Sequence, residues 1–155
     1  MKKLICLLLS GLLLLGTAGC SGNDENVSFN VADLASDLRD SLTFQDNIAE
    51  IEPEMACTLY GIKESDVEDT VVYISGGATA EEIAVVKAAD KDAAKAVQNA
   101  LEDRVKAQEK SYKDYNPGEL DKLGKAVLSK AGNYVVLCIS SDSDAAKKII
   151  SEYIK

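Results

Sequence analysis

Apolar residues recur at Val31, Leu34, Leu38 and Leu42, a three-and-four spacing that lays one stripe along a helix. Asn30 stands before the stripe as a cap and Asp33 falls in the first turn, where an acid complements the helix dipole. The stretch "EPEMACTLYGI" reads as a short second helix, with Pro53 in its first turn and Gly61 as its stop. "TVVYIS", then Gly76 and Gly77, then "EEIAVVKA" reads as two strands joined by a glycine turn. Thr79 and Glu82 also spell a capping box, which makes a helix the competing reading. The β-branched Val85 and Val86, and a fresh helix start at Asp90, favour the strand.

From Asp90 to about Ser111, Ala93, Val97, Leu101, Val105 and Tyr112 form one stripe of a long helix with charged residues opposite. "NPGEL" predicts another helix, capped by Asn116, opened by Pro117 and closed back by Glu119; Leu120, Leu123 and Val127 are its buried side and Gly132 its end. "NYVVLCIS" is almost wholly apolar, as a strand deep in a sheet would be. Ser141 with Asp144 predicts the cap of a last helix whose Ala146, Ile149, Ile150 and Tyr153 face inward. The order of elements predicts one α+β domain over 29–155: a small antiparallel or mixed sheet of about three strands packed with about five helices.

The N-terminal region follows a different grammar. Lys2 and Lys3 precede an almost unbroken apolar run, Leu4 to Leu15, and Gly16 to Gly19 are small. That order predicts a secretory signal over 1–19, since the run is well short of the ~20 residues a membrane-crossing helix needs. "TAGC" puts Cys20 directly after Ala18 and Gly19 and resembles the lipobox of bacterial lipoproteins, although Thr17 stands where that motif more often has Leu. The resemblance implies diacylglyceryl attachment at Cys20 and cleavage before it. Residues 20–28, ending in the polar "SGNDENVS", read as a lipidated N-terminus and flexible stalk. These readings place the protein at the extracytoplasmic face of the cell membrane.

Charge narrows the partners. The chain carries 17 basic and 26 acidic residues. Removing 1–19 takes two lysines and no acid, leaving 15 basic residues against 26 and a formal charge of −11. Such a surface repels phosphate backbones, so nucleic acid is excluded as a partner. There is no histidine, which removes the commonest general base and the Cys/His zinc sites. "SDSD" and "DKD" gather oxygens without the spacing of a calcium loop and sit at helix starts. Gly76 and Gly77 lack the further glycines, helix and Lys of a phosphate loop. No metal, no cofactor and no catalytic residue is assigned. Once Cys6 leaves and Cys20 is lipidated, Cys57 and Cys138 are the thiols able to pair, and Cys138 lies in the apolar strand, where free Cys acts as a small hydrophobe.

One constellation stands apart. Arg104 and Gln108 are four residues apart beside the stripe of the long helix, with Tyr115 just beyond; long polar groups at a core edge line a cleft, or reach a carboxylate such as Glu82 and cap backbone. Glu82, Arg104, Gln108 and Tyr115 are therefore the candidate ligand-binding cleft. The composition favours a lipid-anchored binding or interaction domain whose partner is an envelope protein or small ligand. The alternative is an envelope hydrolase using carboxylates, for example on cell-wall glycan.

"LYGI", "VVYIS", "AEEIAVVKA", the Arg104 to Gln108 pair, "YNPGEL" and "GNYVVLCIS" together resemble the bacterial lipoprotein family of domain of unknown function 4358, of Gram-positive type, over about Val31 to Tyr153. The resemblance implies a lipid-anchored extracytoplasmic protein with one α+β domain. It implies no reaction.

Overall fold

The computed structural model describes residues 27–154. The signal at 1–19, Cys20 and most of the stalk at 20–28 lie outside the described residues.

Eleven residues, Val31–Ser41, form α1, and the Asn30 side chain accepts from the Ala32 N–H at 2.8 Å. A short strand β1 (Ala49–Ile51) leads into α2 (Pro53–Tyr60), which Gly61 ends in the left-handed conformation at φ 66°. Next come β2 (Val67–Ile74) and β3 (Glu82–Ala88), paired antiparallel with Ile74 opposite Glu82. The hairpin reading of this segment therefore holds over the helical one. The long helix α3 runs Lys91–Tyr115, with Asp90 accepting from the Ala93 N–H. After a 3-10 turn at Pro117–Glu119 come α4 (Leu120–Gly124), β4 (Val127–Ala131), β5 (Tyr134–Ile139) and α5 (Ser143–Tyr153).

The five strands make one wholly antiparallel sheet in the order β1-β2-β3-β5-β4. The expected count of about three strands is corrected to five. β1 has three residues, too few to show a period. The segment expected to continue a helix to Gly132 is instead β4: α4 stops at Gly124, and Ala131 pairs with Tyr134 across the two residues Gly132 and Asn133. Gly132 adopts φ 55°, a turn conformation and not a helix stop. Asp142, not Ser141, caps α5, accepting from the Ala145 N–H at 2.9 Å.

Strand alternation divides the core between the two faces of the sheet. Ala84, Val86, Val135, Leu137 and Ile139 face α2, α3 and α4. Ile83, Val85, Val136 and Cys138 face α1 and α5, with Phe29 stacked on Tyr134 at 4.1 Å between ring centroids. The small Ala84 and Ala88 on β3 lie in one cluster with Ala93, Ala94 and Val97 of α3, so helix and sheet pack closely. At about 1.5 Å per helical residue α3 is roughly 37 Å long, whereas the seven residues of β3 span about 23 Å. α3 runs back along β3 and outreaches it, so its last turns stand beyond the sheet where β3 begins.

Cys57 and Cys138 are both free and buried. Cys57 lies on α2 and Cys138 in the cluster under α1 and α5, on opposite sides of the sheet. Burial pushes the Cys138 thiol up to about 12 and also raises Cys57, and a thiol without its thiolate is a poor nucleophile. Unfolding the protein without reductant in the presence of iodoacetamide should alkylate both residues, whereas the native protein at pH 8 should leave Cys138 unmodified. A bridged Cys57–Cys138 peptide by mass spectrometry would contradict this arrangement.

Candidate functional site

Two consecutive acids stand at the entry to β3, and both are buried: Glu81 and Glu82 are each 1% exposed. Buried carboxylates need donors or cations, and the two find them in opposite directions. Glu82 accepts from the Tyr60 hydroxyl at 3.0 Å, from Arg104 Nε at 3.1 Å and Nη2 at 2.8 Å, and from Gln108 Nε2 at 2.7 Å. Glu81 accepts from the backbone N–H groups of Gln45 at 2.9 Å and Asp46 at 3.0 Å, from the Thr79 hydroxyl and from Lys122 Nζ at 3.1 Å. Lys122 also pairs with Glu119 at 2.9 Å and donates to Gln45 Oε1. Glu119 in turn accepts from the Ala80 N–H at 2.9 Å, so it closes down the β2–β3 loop and does not cap a helix as the sequence suggested.

Burial works against the ionised form of Glu81, but the donors from Gln45, Asp46, Lys122 and Thr79 outweigh it and leave its pKa lowered. Tyr60 is pushed well above the usual phenol value by burial and by Glu82 beside it. Tyr112, whose hydroxyl donates to the carbonyls of Gly77 and Thr79, is raised by burial and then by Glu119.

Above this network lies a cleft of about 400 Å³ between the β2–β3 loop and the last turns of α3. Glu82, Arg104, Gln108 and Tyr115 all line it. The four candidate residues are thus brought together, and the two structural readings of the Arg and Gln combine: Arg104 reaches Glu82 across the core edge, and an open cleft lies over the pair. Gln108 bonds the carboxylate, not backbone. Tyr115 is 69% exposed and its ring lies 5.9 Å from that of Tyr112.

The floor holds one imbalance. Gln108 is 5% exposed, and its Oε1 has no hydrogen-bond partner. Reversing the amide is no remedy, because it would set Oε1 against the Glu82 carboxylate and lose the 2.7 Å donation. An acceptor left without a donor costs about 1–3 kcal/mol.

The sequence pattern alone does not mark Glu81, Glu119 and Lys122 as site residues. The doubled acid before an apolar strand was the available signal, since neither acid has a reason to stand at the entry to β3 unless both are paired.

The family model described as domain of unknown function (DUF4358) matches residues 40–140. The chain belongs to this family. No curated protein and no solved structure matches the chain. The match is narrower than the resemblance over 31–153, yet it takes in all five strands of the DUF4358 domain, α3, and every residue of the charged network and cleft. Most of α1 and all of α5 fall outside it. Among the described residues of this DUF4358 protein there is no cluster of three metal-ligating side chains, and no helix is long and apolar enough to cross a membrane.

Lys122 is 8% exposed in its side chain and serves two buried carboxylates. Replacing it by Met removes the cation from both, and the Lys122→Met variant should lose about 3–5 kcal/mol in urea unfolding. Because the folded pKa of Glu81 is lowered, its stabilisation is complete above the unfolded carboxylate value of about 4.3 and disappears as pH falls through the folded value. Glu81→Gln should therefore flatten the acid limb of the stability profile below about pH 4.5. An unchanged acid slope would show that Glu81 is not the titrating group.

Proposed function

We propose that this is a lipid-anchored extracytoplasmic binding domain, held to the membrane through Cys20, whose ligand site is the cleft between the β2–β3 loop and α3. The observation that carries the reading is the orphan Gln108 Oε1: a buried acceptor, in a network where its neighbours are paired, on a residue that lines an open cleft. A ligand donor completes that network.

The position of the cleft supports the same reading. Val27 and Ser28 lie beside Lys87, Gly132 and Asn133, at the finish of β3, while the cleft lies at its start. Seven residues of strand, about 23 Å, separate the two. The chain from Cys20 to Val27 spans at most about 25 Å, so a lipid on Cys20 holds the Val27 end, the one opposite the cleft, within that distance of the bilayer.

The hydrolase alternative needs a carboxyl group that reaches substrate and holds a proton at neutral pH. Glu82 has both oxygens engaged and is 1% exposed. Glu81 is shifted the opposite way, toward the ionised form. Binding, not hydrolysis, is what these groups support.

Dye attached at Lys130→Cys, near the β4–β5 turn, should transfer energy to acceptor lipids in proteoliposomes more efficiently than the same dye at Ser111→Cys beside the cleft. Both signals should vanish when Cys20→Ala is added; equal or reversed transfer defeats the orientation, and membrane retention of Cys20→Ala defeats the anchor. Equilibrium dialysis against a cell extract, followed by mass spectrometry, should show a small molecule retained by the native protein and released by Gln108→Leu. Identical retention by both, or none by either, removes the cleft from the function.

A further inference from the structure

The ionisable groups around the cleft do not balance. Glu81, Glu82 and Glu119 face only Lys122 and Arg104, which leaves one negative charge in excess. Asp46 adds to it: its Oδ2 lies 3.8 Å from where a Cβ would stand on Gly76, and its field, like that of Glu119, opposes ionisation of Tyr112 on the cleft wall. Arg104 offsets part of this, its field favouring ionised Tyr112 where those of Glu119 and Asp46 oppose it, and Glu82 binds it through both Nε and Nη2. An anionic ligand would meet three buried carboxylates and a guanidinium whose Nε and Nη2 are held by Glu82.

Two further features select among the ligands that remain. Gln108 Oε1 accepts and cannot donate, and it lacks a partner, so the ligand brings N–H or O–H. Tyr115, largely exposed at the cleft and tilted against the buried Tyr112, offers an aromatic face to a cation. Excess negative charge, an unfilled acceptor and one exposed aromatic ring share one complement, an ammonium group on a short apolar stem.

From these we infer that the cleft is a receptor for a primary alkylammonium group, carried by a free amine or by a lysine-like side chain. This inference rests on the reading of the cleft as a binding site, and it names the chemistry that the site takes. The stem lies along the Tyr115 ring, and the ammonium head points to Gln108 and the surplus carboxylate charge.

Three probes of equal length separate the possibilities: 1,5-diaminopentane, 1,5-pentanediol and glutarate. Calorimetric titration of the detergent-solubilised protein should show binding of the diamine alone, weakening as salt is raised. Its Kd should rise about five-fold in Tyr115→Ala, the loss of one exposed cation–π contact. It should rise by a similar or larger factor in Gln108→Leu. Tyr115 is exposed, so its variant folds even if Gln108→Leu does not. Diol binding as tight as the diamine, or glutarate binding, with amide shifts at Ser111 and Tyr115, overturns the ammonium assignment and leaves the cleft as a site for another class. Silence from all three probes also overturns the assignment, and the dialysis result then decides separately whether the cleft binds anything.

Discussion

Two carboxylates side by side at the start of a central strand, both shut away from water, constrain everything at that end of the molecule. An isolated buried carboxylate costs several kcal/mol or gives up its charge. The chain meets the demand by gathering donors from five separate places: the loop after α1, α2, the β2–β3 loop, α3 and α4. Because the two acids turn opposite ways, one dipeptide clamps α2 and α3 on one side and the Gln45–Asp46 segment with Lys122 on the other. Removing either acid frees two elements, not one residue.

That clamp depends on register. Ile83 and Val85 are buried with α1 and α5, while Ala84 and Val86 are buried with α3. A one-residue slip of β3 would exchange the two sets and turn Glu82 away from Arg104. Apolar alternation along β3 therefore aims a charged group, and the same packing that gives the domain its core also sets the cleft. Well-packed apolar residues in place of a buried ionic cluster are often at least as stable, so stability alone does not explain why Glu81, Glu82, Glu119 and Lys122 are charged. A fixed loop over a cleft is what the charges add: Glu119 holds Ala80 and Tyr112 holds Gly77 and Thr79.

The parts that could be read from the chain were those governed by short spacing. The cap at Asn30, the left-handed stop at Gly61, the β2–β3 hairpin and the stripe of α3 all follow from residues within a few positions of one another. The Arg104–Gln108 pair was visible for the same reason, being one helical turn apart, and Glu82 entered because a guanidinium at a core edge needs a carboxylate. β4 was missed because Val127 is four residues beyond Leu123 and fits a helix as well as a strand, and Gly132 serves equally as a helix end or a hairpin turn. Glu119 looked like a capping residue, and no pattern singled out Lys122. Their true partners are 39 and 41 positions away, and no local pattern records a contact at that distance.

Long-range and short-range electrostatics act in one sense on this protein. With 26 acidic residues against 17 basic ones, the surface field attracts cations and repels anionic headgroups over roughly a Debye length, about 8 Å at physiological salt. On the lipid tether proposed above, a domain over an anionic leaflet is thereby pushed off the surface, not laid flat on it, and the cleft at the start of β3, away from Val27, stays open to the outer phase. Within the cleft the field is local and little screened, since the charges that make it are buried. In the proposed binding site the surface field sets which molecules arrive, and the unpaired acceptor with the exposed Tyr115 ring sets which of them stay. Selection at the second step needs the first only for rate, because steering raises the encounter frequency without adding a contact.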